Sequence, residues 1–237
     1  MLPSMPSSMG AGEIALKVIA GVAFKGGVGK TTVLSNLSIS FIEIGLKVGI
    51  IDLDPQSSVS SWGEVRESEE PMISDAKAKT LGKFIEAGRN LGLDLMLIDT
   101  PPSASIEAHE AIIAADYVLI PCRPGYYDLK AVTTTTNSSR IAGKPYGVVF
   151  NAVPPRGERG DQAIIAVRDE LRAAGVTVLD VLIHQRSIFS SSATTGSTAV
   201  EQEPAGKAAA EIRSLRDEIV KQANIQTSTR SSKRKVA

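Results

Sequence analysis

The sequence predicts an α/β protein with a doubly wound, mainly parallel sheet, and three observations predict it. Short β-branched apolar runs recur along most of the chain, and runs of that length bounded by Gly, Asp or Pro are the mark of buried strands. Longer segments with helical spacing separate them, and strand–helix alternation places helices on both faces of a parallel sheet. Aromatic residues make up only 4% of the 237 residues, so the core must be built from Val, Ile, Leu and Ala, as parallel sheets require.

Taken in order, the predicted strands are Val18–Phe24, Val48–Leu53, Leu93–Ile98, Tyr117–Pro121, Tyr146–Asn151 and Val176–Ile183. The predicted helices are Lys30–Ile44, Leu81–Asn90, Ile106–Ala114, Leu129–Ile141, Gln162–Ala173 and Gly206–Gln222. Residues 1–13, rich in Ser, Pro, Gly and Met without periodicity, are expected to form a flexible leader. Residues 14–223 are expected to form a single domain, and 224–237 a basic, disordered tail. No internal repeat is visible.

Basic and acidic residues balance at 26 each, so the chain as a whole has no bulk attraction to polyanions. From Lys207 onward, however, eight basic residues face three acidic ones. Cys122 is the only cysteine, which excludes an intrachain disulfide and a Cys-based metal cluster; it is expected to be a small packed residue. No signal-peptide pattern and no apolar run of ~18 residues is present, so a cytoplasmic location is expected.

The most specific motif is Lys25-Gly26-Gly27-Val28-Gly29-Lys30-Thr31-Thr32. It follows a predicted strand and opens a predicted helix, the context of a phosphate-binding loop. Glycines let successive backbone N–H groups face one centre, and the helix dipole adds positive charge there. Lys30 then serves the β- and γ-phosphates of a nucleoside triphosphate, Thr31 is a hydroxyl ligand for Mg²⁺, and Thr32 reaches the α-phosphate. Position 24 is Phe, where the commonest pattern begins with Gly.

Two strands end in carboxylates. Asp52 and Asp54, in Asp52-Leu53-Asp54-Pro55-Gln56, share one side of their strand by alternation. An apolar run ending in Asp99-Thr100-Pro101-Pro102 has the form of the strand that binds the Mg²⁺ shell in such proteins.

With Lys25 at its start, the loop resembles the deviant Walker A motif of the ParA/MinD family of ATPases, Lys-Gly-Gly-x-Gly-Lys-Thr-Thr. The resemblance extends to the Asp-x-Asp-Pro-Gln and Asp-Thr-Pro-Pro segments, and more diffusely from Val18 to Gln222. Small ParA-type partition ATPases, including the ParF-like branch, are the nearest in pattern. This likeness implies a P-loop NTPase fold, binding of ATP or ADP with Mg²⁺, and slow hydrolysis. It implies that Lys25 reaches phosphates held by a partner subunit in an ATP-sandwich homodimer. It also implies that Asp54 orients or deprotonates the attacking water, that Asp52 supports the Mg²⁺ shell with Asp99, and that Asn151 reads the adenine edge. For Asp52, capping of the following turn is the alternative.

The same likeness implies non-specific DNA binding by the ATP-bound dimer, with Arg186, Lys207, Arg213, Arg216 and Lys221 as candidate contacts. A centromere-binding adaptor of ParB or ParG type is the implied partner, and association with the nucleoid in the ATP state the implied location. Only about 17 residues precede the first predicted strand, too few for a helix-turn-helix reading head. The terminal segment lacks the apolar face of a membrane-binding helix, so no membrane attachment is expected. The rival reading is a MinD-like ATPase that positions proteins or serves a secretion complex; a ligase related to dethiobiotin synthetase is a more distant one. His109 and His184 have no second ligand at metal spacing, and Thr133 to Thr136 are expected on a helix surface.

Overall fold

The computed structural model of the chain describes residues 15–155 and 157–227. The expected leader and residues 228–237 of the expected tail therefore lie outside the described residues. Among the described residues, seven strands form one sheet: β1 (Lys17–Gly21), β2 (Val48–Asp52), β3 (Met72–Asp75), β4 (Leu95–Asp99), β5 (Tyr117–Cys122), β6 (Tyr146–Val153) and β7 (Val178–His184). Their order is β3-β2-β4-β1-β5-β6-β7, and every pairing is parallel. The helices are α1 (Lys30–Glu43), α2 (Ser58–Glu64), α3 (Leu81–Asn90), α4 (Ile106–Ala114), α5 (Tyr126–Ile141), α6 (Gly157–Ala173), α7 (Ile188–Ala193), α8 (Ala199–Gln202) and α9 (Lys207–Gln222).

Period-2 alternation divides the core between the two sheet faces. Val18, Ala20, Ile98, Val118, Ile120, Val148 and Phe150 point to one side, where they meet Ile85 of α3, Ala111 and Ile112 of α4, Val132 of α5 and Ile164 of α6. Ile19, Leu95, Leu97, Leu119 and Val149 point to the other, against Leu34, Leu37 and Phe41 of α1 and Ile212, Leu215 and Ile219 of α9. Central strands buried on both faces explain why their sequences read as unbroken apolar runs.

Several boundaries differ from expectation. β1 ends at Gly21 rather than Phe24 because, after Val22 donates its N–H to Leu119 O at 2.9 Å, the chain leaves the sheet for the loop. β6 and β7 run on to Val153 and His184 through register shifts. Helix α5 begins at Tyr126 and α6 at Gly157, earlier than predicted. The sequence reading missed β3, a four-residue edge strand, and α2, α7 and α8. Thr133 to Thr136 do not all lie on a surface: Thr135 and Thr136 are buried, because their hydroxyls bond back to Ala131 O at 3.2 Å and Thr133 O at 3.1 Å.

Candidate functional site

Parallel pairing sets three strand ends side by side. Gly21 of β1 is in register with Asp99 of β4, and Asp99 with Asp52 of β2. The glycine loop therefore leaves the sheet beside both carboxylates, at the carboxyl ends where open α/β sheets bind ligands.

Gly27 and Gly29 adopt left-handed conformations, with φ of 71° and 86°, and Lys30 opens α1. The α1 N-terminus has no side-chain cap, leaving its amides and dipole available to an anion. Ser35 donates to Thr31 O at 2.9 Å, and Asn36 to Thr32 O at 2.8 Å, which stiffens this first turn.

Thr31 Oγ1 donates to Asp99 Oδ2 at 2.5 Å, and Thr100 N–H to Asp99 Oδ1 at 3.0 Å. Asp99 is fully buried. Burial pushes its carboxyl up to about 7; the Thr31 hydrogen bond and Lys30 oppose the rise, while Asp52 and Asp54 add to it. Lys30 is also buried, and desolvation lowers its pKa against the pull of Asp99 and Asp54. A hydroxyl and a carboxylate in contact are hard oxygen donors suited to Mg²⁺, and a carboxylate buried at this cost gains most from a cation. The residues therefore fit the metal that the loop implies.

Asp52 is buried and takes up the capping alternative. It accepts N–H groups from Asp54 at 2.9 Å, Val59 at 3.0 Å and Ser60 at 3.2 Å, so it holds the start of α2. Burial raises its pKa, and those three amide bonds oppose the rise. Asp54 is half-buried. Its backbone and side chain shape the turn into α2, with Ser57 N–H bonded to Asp54 O at 2.8 Å and Gln56 N–H to Asp54 Oδ1 at 3.0 Å. Lys25 is half-buried at the start of the loop.

Asn151, at 7% exposure, donates Nδ2 to Val28 O at 2.7 Å. Arg123 is a cation that sequence reasoning missed. Its Nη2 comes within 3.9 Å of where a Cβ on Gly27 would stand. Phe24 stacks on His109 with ring centroids 5.9 Å apart.

A second set of residues missed in the sequence ties α2 to α8. Arg66 donates to Glu201 at 2.6 and 3.1 Å and to Gly196 O at 2.8 Å. Trp62 Nε1 donates to Ser197 O at 3.1 Å. Asn36 of α1 accepts the Ala199 N–H at 2.9 Å, so α8 is fastened to the helices that follow both the loop and Asp54. The pattern Thr198-x-x-Glu201 signals a capping box, and the structure forms it.

The candidate DNA contacts separate. Arg216 is a correction: it is buried, bonded to Ser40 O and Oγ at 3.1 Å and to Asp217. Helical period explains it, since residue 216 shares the inner face with Ile212 and Ile219. Arg213 is forked onto Glu43 at 2.6 and 2.9 Å and also bonds Pro204 O. Arg186 bonds Glu211, which also receives His184 at 2.8 Å. Lys207 and Lys221 are exposed on α9. Cys122 is buried. Among the described residues no group of His, Cys, Asp and Glu forms a metal cluster, and no helix is long and apolar enough to cross a membrane.

A parallel sheet whose central strand runs through this loop into a helix, with Thr31 and Asp99 joined beside a buried Lys30, defines a P-loop nucleotide-binding protein. The particular family follows from comparison with known proteins. The model of the CbiA family, the CobQ/CobB/MinD/ParA nucleotide binding domain, matches residues 19–199, and the chain belongs to that family. Maintenance of carboxysome distribution protein A of Halothiobacillus neapolitanus is 28% identical, over 83% of this chain and 93% of its own. Protein IncC of Escherichia coli is 27% identical, over 87% of this chain and 70% of its own. The septum site-determining protein MinD of Pyrococcus horikoshii, solved with Mg-ADP, superposes with a TM-score of 0.70 at 23% identity. That superposition covers 89% of this chain and 98% of the other, and at that identity it shows the shared fold.

Proposed function

We propose that the chain is an ATP-driven partition switch: Mg²⁺ and ATP close a homodimer, the dimer binds DNA non-specifically, and an adaptor protein triggers slow hydrolysis and release. The observation that carries the reading is Lys25 standing at the mouth of a loop whose far end holds Lys30, Thr31 and Asp99 together. Relatives named for chromosome partitioning and for carboxysome distribution support a role in moving or spacing a cargo.

In this reading, Lys30 and the amides at the start of α1 hold the β- and γ-phosphates, while Thr31 and Asp99 hold the metal. Bound Mg²⁺ supplies charge neutralisation at the phosphates. Asp54 orients the attacking water, with its loop fixed by Asp52 through the first turn of α2. Lys25 reaches across to the phosphates of the other subunit, so that two facing lysines repel until a polyanion lies between them. Turnover then depends on positioning and charge more than on covalent chemistry.

The test is Lys25→Gln. Nucleotide binding by the monomer is expected to persist while ATP-dependent dimers vanish in light scattering; unchanged dimerisation sinks the sandwich. Retention of random-sequence DNA with ATP, but not with ADP or without nucleotide, checks the cargo-moving half. ATP-dependent binding to anionic liposomes, with no DNA retention, would favour the MinD-like alternative.

A further inference from the structure

Asn151 bonds to the phosphate loop itself. It stands near the end of β6, across β5 from β1, and its Nδ2 donates to Val28 O at 2.7 Å in a buried environment. The next residue, Gly29, has φ of 86° and ψ of 29°. A Cβ there would lie 2.3 Å from the same Nδ2. Gly29 is thus required twice, once by its left-handed backbone and once to let the amide approach.

The consequence concerns the direction of one peptide plane. A loop binds phosphate only while its N–H groups face the anion and its carbonyls face away. If the Val28–Gly29 peptide turned over, it would present a carbonyl dipole to the phosphates in place of a donor. Val28 O is the oxygen that Asn151 captures, on the side of the loop away from solvent. A donor fixed on a sheet strand therefore selects the anion-binding orientation before any ligand arrives, and lowers the ordering cost that binding would otherwise meet.

We infer that Asn151 is a positioning residue of the phosphate loop, one that locks the Val28–Gly29 peptide in its anion-binding orientation, independently of which base the nucleotide carries. The inference rests on the loop being a nucleotide site. It goes beyond adenine recognition, which assigns this side chain to the other end of the ligand.

The test compares Asn151→Ala with the unaltered chain, using Mg²⁺ with ATP, GTP and inorganic tripolyphosphate, each measured by calorimetry. Losing one such neutral hydrogen bond is expected to weaken tripolyphosphate and ATP alike, about five- to tenfold. Tripolyphosphate has no base, so an unchanged affinity for it overturns the inference, whatever happens to the ratio of ATP to GTP. If the unaltered chain binds none of the three, the nucleotide reading itself fails, and that result is distinct from selective loss of ATP in the variant.

A second measurement needs no ligand. Hydrogen exchange in the peptide covering residues 25–30 is expected to quicken in nucleotide-free Asn151→Ala while β1 and β4 keep their protection. Exchange that stays unchanged in the loop, or that quickens uniformly through the sheet, overturns the positioning role. The same variant should raise KM for ATP well before it lowers kcat, because the metal and water-orienting groups are untouched.

Discussion

Asp99→Asn removes a buried acid while keeping its shape. The amide oxygen can accept the Thr100 N–H, and the Thr31 hydroxyl can rotate to accept from the new NH₂ group, so both hydrogen bonds of the carboxylate have replacements. The folded protein holds the Asp99 proton up to about 7, against an ordinary value of 3.8. Between those values the folded state carries a proton that the unfolded chain has lost, so this group's contribution to stability falls as pH rises. A shift of about three units corresponds to a penalty on the order of 4 kcal/mol once pH passes 7, and to none below about 4. The nucleotide-free Asn variant is therefore expected to melt near the unaltered protein at pH 4.5 and about 10 °C above it at pH 8. Calorimetric melting across that range, without Mg²⁺ or nucleotide, measures the difference. A gap that does not widen with pH would refute the argument that burial of a carboxylate only partly offset by Thr31 and Lys30 governs this end of the sheet. Adding Mg²⁺ and nucleotide should raise the melting temperature of the unaltered protein at pH 8 and leave the variant nearly where it was, with a proton released on binding near neutrality.

Three further outcomes follow from residues away from the Thr31–Asp99 pair. Arg66→Ala should cost about 2–3 kcal/mol, since a charge-assisted fork and a bond to Gly196 O are lost together, and chemical denaturation reads this directly. Burial works to raise the Glu201 pKa, but the Arg66 and Thr198 bonds outweigh it and hold the carboxyl low; the clamp's contribution is therefore present above the ordinary carboxylate range and lost as pH falls through the lowered value. Gly196→Ala and Gly45→Ala both place a Cβ at positive φ, yet only the former meets a neighbour, Arg66 Cα at 2.4 Å. Gly45→Ala should cost about 1 kcal/mol, and Gly196→Ala several times that in the same melt. Arg216→Ala should lower stability and leave the salt slope of DNA retention unchanged, whereas Lys207→Ala or Lys221→Ala should each reduce that slope by about 1 if the residue meets a phosphate.

The parts of this molecule that were legible in the sequence are those governed by short-range rules. Central strands such as β4 and β5 announce themselves because both faces are buried, and the loop because glycines, lysine and threonine must stand in a fixed order along a strand–turn–helix. β3 was not legible: Met72 to Asp75 is short, lies at the sheet edge and is mostly exposed, so its pattern carries no apolar run. Helix α2 begins in a serine-rich stretch of poor helix propensity, and what holds it is the Asp52 carboxylate, which caps its first turn, together with the tertiary packing of Val59 and Trp62. Charge in α9 was legible by count, whereas the inward direction of Arg216 follows from its helical spacing with Ile212 and Ile219. The bond from Asn151 to Val28 joins residues 123 positions apart, and no local pattern could have foretold it.

The α2–α8 junction has one more consequence. Trp62 is the only tryptophan in the chain, it lies on the helix just after Asp54, and its indole is both tethered to Ser197 O and covered by the Arg66 guanidinium at 5.0 Å. The protein thus carries its own optical gauge: any rearrangement that lifts α2 from α8 wets this ring and reddens its emission, whereas a helix that stays docked through the nucleotide cycle leaves the spectrum still.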